Sequence, residues 1–343
     1  MRILKRTLSI LFAASTALVP VLYAQQPTDA KSELPIPVIT GVVSFQSTFE
    51  SGAQTLSPEV DPILLLPLGR KLLIESEFDM ATDVTHSDGQ WGPAVVAHGI
   101  EYMQLSYIVH PNLTFTAGRF LTPFGIYRER LHPMWIRNLA DEPIIFAMND
   151  NSSNGAMARG SARLTSGMDL TYATYFSASM KNNQLAADRR AGTRASLFFP
   201  GNRLEVGVSF SRVLADSRYN MMGTDVTWNL RKIPLDLRAE AIQTTMLGRG
   251  YWVEAAYRLD RLGRKPLLRN SLLAVRGEQY RVPGIAQTLL DELPEQSTSR
   301  TTLGWTYSLS NGVRFNASYG RNLAQGDNHN IVTVGLTYRF ASF

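Results

Sequence analysis

Apolar residues alternate with polar or small residues along much of the second half of the chain, in segments of about ten residues. One segment alternates Leu204, Val206, Val208 and Phe210 with Glu205, Gly207, Ser209 and Ser211. Successive side chains of a β-strand point to opposite faces, so this period of two predicts strands with one apolar and one polar face. Glycine, proline and asparagine separate the segments, as turns between antiparallel strands require.

Extended over the whole chain, the pattern predicts sixteen strands, with fourteen or eighteen as alternatives. The candidates cover residues 38–50, 61–68, 71–84, 97–109, 113–120, 155–164, 168–178, 190–199, 203–213, 219–231, 235–246, 249–260, 268–281, 297–309, 313–321 and 329–341. Two of them are weak. Residues 63–66 form a continuous apolar run between Pro62 and Pro67, and residues 97–109 alternate poorly.

The connections between these segments are alternately short and long. Short turns such as Gly69-Arg70 and Ser310-Asn311-Gly312 alternate with a second set that includes the longer segments 85–96, 121–154, 179–189 and 282–296. Outer-membrane barrels have short periplasmic turns and longer external loops. An even number of strands then brings both chain ends to the periplasmic side.

Two environments produce such alternation: a soluble fold with an apolar core, and a membrane barrel with an apolar exterior and a wet interior. Aromatic residues near the ends of the apolar faces favour the membrane barrel, because such residues form interfacial girdles. These aromatic residues are Trp228, Trp252, Trp305, Tyr307, Tyr319, Tyr338 and Phe340. The predicted fold class is therefore all-β, a transmembrane antiparallel β-barrel.

The start of the chain predicts export. Arg2, Lys5 and Arg6 precede an apolar stretch, and Ala24 offers a small residue for cleavage, so residues 1–24 are predicted to be a signal peptide. Residues 25–37 contain three prolines and are expected to form a periplasmic leader, followed by the barrel in 38–343. No later apolar run reaches the 18 residues of an inner-membrane helix, which favours the bacterial outer membrane.

Composition narrows the classes of function. The signal peptide holds three of the 34 basic residues and none of the 29 acidic ones, so the remainder is nearly neutral and nucleic acid is not an expected partner. There are no cysteines, which excludes disulfides and thiol chemistry, and the five histidines are scattered without metal-ligand spacing. We expect no cofactor, no metal and no enzymatic activity.

One segment tests the enzyme class directly. Asn151-Ser152-Ser153-Asn154-Gly155 is similar to the Ser-Asn-Gly of outer-membrane phospholipases. Their catalytic histidine lies two positions before the serine, where this chain has Asn151, so no base would activate Ser153. The segment is predicted to be the tip of a long loop instead.

A sixteen-stranded barrel encloses an aqueous channel unless something fills it, and the segment 121–154 is the candidate for a constriction loop. Charges within the strands are assigned to the lumen, because a charge on the lipid face costs about 2 to 4 kcal/mol. Glu75, Glu77 and Asp79 share one face of the third strand. The arginines expected on the facing wall are Arg194, Arg238, Arg276, Arg314 and Arg339. Either a transverse field crosses the lumen, or neighbouring strands neutralise each charge, as Glu278 could do for Arg276.

The stretch from Ala117 to Pro143 resembles the phosphate-selective porin O and P family. The matching residues are Gly118, Arg119, Pro123, Phe124 and Gly125, followed by Arg128, Arg130 and Arg137. The resemblance implies a sixteen-stranded homotrimer with inward loops and arginines that guide anions such as phosphate. The chain departs from the family in having no lysine in this loop and in carrying Glu129, Asp141 and Glu142 there, which would repel phosphate. The loop arginines could equally pair with acids and pin the loop.

These observations predict a passive aqueous channel for small hydrophilic solutes and ions, in contact with outer-membrane lipid. The alternatives are a structural or adhesive barrel and a lipid-modifying enzyme. The candidate pore-lining or constriction residues are Glu75, Glu77, Asp79, Arg119, Arg128, Glu129, Arg130, Arg137, Asp141, Glu142, Arg194, Arg238, Arg276, Arg314 and Arg339.

Overall fold

The chain forms a closed antiparallel β-barrel in a computed structural model that describes residues 36–149, 152–181, 185–215, 218–230, 232–263, 265–283, 293–324 and 327–342. The first strand pairs with the second on one side and with the last on the other, which closes the sheet. Every pairing in the sheet is antiparallel, and a two-residue strand only extends the third hairpin at the rim. Sixteen strands therefore make up the barrel, as predicted.

The strands follow one another around the barrel in chain order. They are β1 (Val38–Glu50), β2 (Ala53–Leu68), β3 (Leu72–Ser87), the short β4 (Gln90–Trp91), β5 (Val95–His110), β6 (Leu113–Phe120), β7 (Ser153–Thr165), β8 (Met168–Ser177), β9 (Arg190–Phe199), β10 (Leu204–Val213), β11 (Asn220–Asn229), β12 (Leu235–Thr244), β13 (Arg249–Arg258), β14 (Ser271–Arg281), β15 (Thr298–Ser308), β16 (Val313–Ala324) and β17 (Asp327–Ser342). The predicted signal peptide lies outside the described residues, as does most of the predicted leader.

Two predicted boundaries need correction. β2 begins at Ala53 rather than at residue 61, because its prolines break the alternation without ending the strand. The segment 85–96, expected to be a loop, is mostly strand, since β3 continues to Ser87 and β5 starts at Val95.

The alternation separates an apolar exterior from a polar interior. On β10, Val206, Val208 and Phe210 are exposed, whereas Ser209 and Ser211 are buried. This is the inverse of a soluble barrel, whose apolar residues would fill the interior. One predicted girdle residue lies on the other face: Trp252 points inward and is buried, while Trp228 on β11 is exposed. Among the described residues, no helix is both long and apolar enough to cross a membrane.

The longest connection joins β6 to β7 and lies inside the barrel. We call residues 121–152 the inward loop; residues 150 and 151 within it are not described. It contains the one-turn helix α1 (Tyr127–Arg130) and two 3-10 turns, Met134–Ile136 and Ile144–Asn149. Another one-turn helix, α2 (Pro266–Arg269), lies in the connection between β13 and β14.

Candidate channel constriction

The inward loop turns into the barrel at Pro123-Phe124-Gly125. Gly125 has a left-handed backbone (φ 64°), and its amide donates a hydrogen bond to Ser209 Oγ on β10 at 3.0 Å. A Cβ atom here would lie 2.0 Å from Glu240 Oε1, so the turn requires glycine for both its conformation and its space. The sequence match to Pro-Phe-Gly thus marks the point where the loop enters the lumen.

Three glutamates on neighbouring strands hold the loop to the wall. Glu240 on β12 accepts hydrogen bonds from the amides of Ile126 and Tyr127, each at 3.1 Å. Glu254 on β13 accepts one from Asn138 Nδ2 at 2.8 Å. Glu278 on β14 accepts one from the Ile144 amide at 2.7 Å. These contacts satisfy polar groups of the loop that its own short turns leave unpaired.

An apolar core lies between the loop and this part of the wall. Tyr127 packs edge-to-face on Trp252 at a centroid distance of 6.0 Å, and against Phe146 at 5.0 Å. The buried members of the cluster are Phe124, Ile126, Tyr127, Leu131, Ile145, Phe146, Met148, Met221, Ile242, Leu247, Trp252, Tyr280 and Leu293. The lumen beside β11 to β14 is therefore packed rather than open.

Arg276 on β14 ties the loop to two of these glutamates. It is 1% exposed, and it lies 2.9 Å from Glu278 Oε1 and 3.7 Å from Glu254 Oε2. Its Nη2 also donates to the carbonyl oxygens of Asp141 and Glu142 at 2.8 and 3.1 Å. One guanidinium thus connects two strands with the backbone of the loop.

The far end of the loop reaches the last strands. Asp141 accepts hydrogen bonds from Ser318 Oγ on β16 at 2.8 Å and from Thr333 Oγ1 on β17 at 2.7 Å. Arg314 on β16 donates to the carbonyl oxygens of Trp135, at 2.9 Å, and Arg137. The inward loop consequently spans the interior from β6 to β17.

Three charged residues of α1 form ion pairs with residues on strands to either side of the start of the inward loop. Arg128 pairs with Glu101 on β5, and Arg130 lies 2.5 Å from Glu205 on β10. Glu129 lies 2.6 Å from Arg159 on β7. Burial alone would raise the pKa of Glu129, but the arginines around it, Arg159 first, hold that pKa below its usual value. The helix is therefore pinned by charge on both sides.

The middle of the loop carries Arg137 and His132. Arg137 lies 2.9 Å from Glu142 and stacks over the Tyr127 ring at 5.3 Å. Burial, reinforced by the positive charges of Arg128 and Arg137, lowers the pKa of His132 well below its ordinary value. His132 is thus neutral at pH 7, although its Nε2 lies 3.8 Å from Glu101 and 3.9 Å from Glu77.

Carboxylates are concentrated on the opposite side of the lumen. We call this group the acidic wall; it comprises Glu59, Asp61, Glu75, Glu77, Asp79 and Glu101 on β2, β3 and β5. Glu101 faces inward because the register of β3 and β5 shifts beside Glu77, leaving Glu101 as the extra residue of a bulge. Within the described residues, the acidic wall forms one arginine pair, between Glu101 and Arg128.

Two of the five predicted arginines of the facing wall pair with carboxylates. Arg194 lies 2.7 Å from Asp225 on the next strand but one, and Arg276 is paired as described. Arg238 faces inward with one buried nitrogen that has no hydrogen-bond partner, and Arg339 lies on the inward side of β17, where it is exposed. Neutralisation by neighbouring carboxylates therefore describes Arg194 and Arg276, whereas in the acidic wall, among the described residues, only Glu101 has an arginine partner.

Arg119 lies away from the interior. It follows Phe115 and Ala117 on the outer face of β6, near the rim. Its side chain donates to the carbonyl oxygens of Ile100 at 2.6 Å and Ala186 at 3.1 Å. Arg119 was predicted to line the pore, and this prediction is corrected. Its side chain instead hydrogen-bonds the backbone of β5 and of the connection between β8 and β9.

The sequence analysis did not select several residues that organise the interior. Glu59 and Asp61 belong to the part of β2 that proline obscured, and Glu101 is displaced by the bulge. Glu240 and Glu254 could have been found as charges at inward positions of alternating strands. Ser153 is not at a loop tip, since it begins β7, is buried, and shares a 2.8 Å hydrogen bond with Thr122 Oγ1.

No family model and no curated protein sequence matches the chain. Solved structures do match it. An anion-selective porin from Comamonas acidovorans aligns with 11% identity and a TM-score of 0.56, covering 89% of this chain and 100% of that one. Salmonella typhi OmpF, in complex with daunomycin, aligns with 13% identity and a TM-score of 0.58, covering 89% and 97%. Pseudomonas aeruginosa OpdK, with vanillate, aligns with 10% identity and a TM-score of 0.54, covering 89% and 99%.

At these identities the likeness concerns the fold. It extends over nearly the full length of each porin. The chain has the fold of the outer-membrane porins.

Proposed function

We propose that this protein is an outer-membrane porin, a passive channel through which small hydrophilic solutes and ions diffuse. The observation that carries the proposal is the closed sixteen-strand barrel whose apolar residues face outward and whose longest loop lies within it. A barrel of this size encloses water unless it is plugged. The inward loop narrows this interior and would set what passes.

The apolar exterior supports the membrane location. Outward residues of neighbouring strands, such as Phe45, Leu336 and Tyr338, are exposed and form a surface that water would not favour. Lipid contact removes that cost, and closure of the sheet satisfies the backbone groups of its edges. The neighbouring porin structures support the same location.

The charge distribution favours cations over anions. Among the described residues of the acidic wall only Glu101 pairs with an arginine, whereas Arg194 and Arg276 are balanced by carboxylates beside them. A permeating cation would be attracted to the acidic wall, and an anion repelled. We therefore infer mild cation preference rather than a strong field between two opposed charged walls.

Phosphate selectivity receives less support from the geometry. Each of Arg128, Arg130 and Arg137 is within ion-pair distance of a glutamate. Their charge is used to hold the loop, and a permeating phosphate would have to compete with those carboxylates. The family resemblance nevertheless makes phosphate the anion to test, and it also makes a homotrimer the assembly to test.

Planar-bilayer conductance of the refolded protein under a potassium chloride gradient tests the proposal. Stepwise conductance with a reversal potential on the cation side, unaffected by millimolar phosphate, is the expected result. Steps in groups of three would support a trimer. Block by low phosphate would favour the phosphate-selective family, and a folded barrel without conductance would contradict a porin function.

A further inference from the structure

Three carboxylates of the acidic wall converge without a positive partner. One oxygen from each of Glu59, Asp61 and Asp79 lies within 4.8 Å of the others. Glu59 and Asp61 are two residues apart on the inward face of β2. Val60 pairs with Met80 and Ile63 with Glu77, which brings Asp61 level with Asp79 on β3.

Two oxygens of this cluster are buried and lack any hydrogen bond. Asp61 is only 8% exposed, and its Oδ1 has no donor. Asp79 Oδ1 is in the same condition. Glu59 accepts a hydrogen bond from Ser44 Oγ at 3.2 Å. Buried acceptors without partners are rare in folded proteins and usually indicate a missing water, proton or ion.

No nearby side chain supplies the missing positive charge. Among the described residues, none of these three carboxylates forms an ion pair, although Arg128 and Arg137 pair with Glu101 and Glu142. Like charges so close together destabilise the fold unless something neutralises them. The rigid strands prevent the two backbones from moving apart to relieve this repulsion.

We propose that Glu59, Asp61 and Asp79 bind one Ca²⁺ ion in the lumen. Calcium takes six to eight oxygen ligands at about 2.3 to 2.6 Å, so its opposite ligands lie roughly 5 Å apart. The observed separations fall within that span. Three carboxylates offer six oxygens, and water can complete the shell.

Calcium fits this arrangement better than magnesium does. Magnesium demands near-ideal octahedral geometry and usually keeps several waters, with one or two carboxylates. Side chains fixed on two strands supply three carboxylates in an irregular arrangement, which calcium tolerates. The site depends only on the barrel, so it stands even if the channel proves not to conduct.

Isothermal titration of Ca²⁺ into the EDTA-treated barrel, refolded in detergent from inclusion bodies so that no lipopolysaccharide is present, tests the proposal. We expect one ion per chain with a Kd of about 10⁻⁴ to 10⁻³ M or tighter. Mg²⁺ should bind at least tenfold more weakly. Calcium should also raise the midpoint of thermal unfolding.

Asp61→Asn should weaken calcium binding at least tenfold and abolish the thermal shift. The matched control is Asp83→Asn, which removes an acid from the same face of β3, where Asp83 Oδ1 accepts a hydrogen bond from Ser57 at 2.5 Å. Heat-modifiable gel mobility reports folding, and Asp79→Asn replaces Asp61→Asn if the latter does not fold.

Two results would overturn the proposal. One is that the wild-type barrel shows no saturable Ca²⁺ binding at concentrations up to ten times the largest expected Kd. A proton shared between the carboxylates would then be the occupant. The other is unchanged binding in the folded Asp61→Asn variant, or in Asp79→Asn where that replaces it, which would place the ion elsewhere. Conductance is recorded separately, so a failed calcium site and a failed channel are distinguishable.

Discussion

The two sides of the barrel interior use charge in opposite ways. On the side of β12 to β14, Glu240, Glu254 and Glu278 accept hydrogen bonds from the inward loop and are buried with it. On the side of β2 to β5, the acidic wall has few partners of any kind. The same residue type therefore serves as an anchor on one wall and as an uncompensated charge on the other.

This difference separates stability from permeation. Charges enclosed by the loop are paired, and removing one partner leaves another buried charge without compensation. Apart from Glu101, the carboxylates of the acidic wall have no arginine partner among the described residues and repel one another, so neutralising them should not weaken the fold. Substitutions on the loop side should change unfolding, whereas substitutions on the acidic wall should change which ions pass.

Arg276→Met should give the largest loss of stability. The substitution keeps most of the volume but leaves Glu254 and Glu278 with less compensation and the Asp141 carbonyl without its donor. We expect a loss of about 3 to 5 kcal/mol in denaturant unfolding from lipid vesicles. The control is Arg203→Met, which removes an exposed hydrogen bond of 3.1 Å to Asn229 Oδ1 and should cost under about 1 kcal/mol. Equal losses would contradict the comparison.

Trp252→Ala should cost about 3 kcal/mol, because it leaves a cavity between the loop and the wall. Trp252 is 1% exposed and supports the Tyr127 ring. The outward Trp228→Ala is the matched control, since it removes the same side chain from the lipid face of the neighbouring part of the barrel. Because the apolar core holds the inward loop against the wall, W252A should also increase current noise in single-channel recordings, whereas W228A should not.

The contrast between Trp252 and Trp228 shows what alternation can predict. Most strands could be located from the period of two, and β1, β6 and β9 have the predicted bounds. The inward face, however, was taken to be uniformly polar. Trp252 and Ile242 are apolar and inward because the loop covers them, and a local pattern contains no information about a segment that arrives from elsewhere in the chain.

The candidate site shows the same limit. The charges of Glu75, Glu77 and Asp79 could be placed on one inward face because β3 alternates regularly there. Glu59, Asp61 and Glu101 could not, since prolines and a bulge disturb the alternation on β2 and β5. The partner of each loop arginine depends on tertiary packing across the barrel, which spacing along the chain does not specify.

Gly125→Ala tests the entry point of the loop. A Cβ would strain the left-handed backbone. It would also displace the Glu240 carboxylate from the loop amides that donate hydrogen bonds to it. We expect a loss of roughly 2 kcal/mol and an altered single-channel conductance. Gly69→Ala provides the control, because its φ is 70° but no atom lies within 4 Å of the new Cβ. G69A should show only the backbone strain, with unchanged conductance.

His132 should make the loop side sensitive to acid. Its pKa is lowered in the folded protein, so below the unfolded value of about 6.5 the unfolded state binds more protons and stability falls with pH. The difference in unfolding free energy between wild type and His132→Gln should change by up to about 1.4 kcal/mol per pH unit between pH 6.5 and 5. His110→Gln, at an exposed turn, is the control. A constant difference across this range would mean that the pKa of His132 is the same in the folded and unfolded states.

Glu75→Gln combined with Glu77→Gln should have the smallest effect on stability and a distinct effect on permeation. Neither carboxylate anchors the loop. Glu75 accepts a hydrogen bond from Gln104 at 2.9 Å, and a glutamine at position 75 can accept the same hydrogen bond. The cation-to-anion permeability ratio should fall on the order of twofold, because a charge about 5 Å from a permeating ion in water contributes under about 1 kcal/mol. Glu278→Gln should do the reverse, lowering stability while the reversal potential stays near that of wild type, since its charge is already balanced by Arg276 and Arg300. An unchanged reversal potential in the double variant would show that ions pass away from the acidic wall.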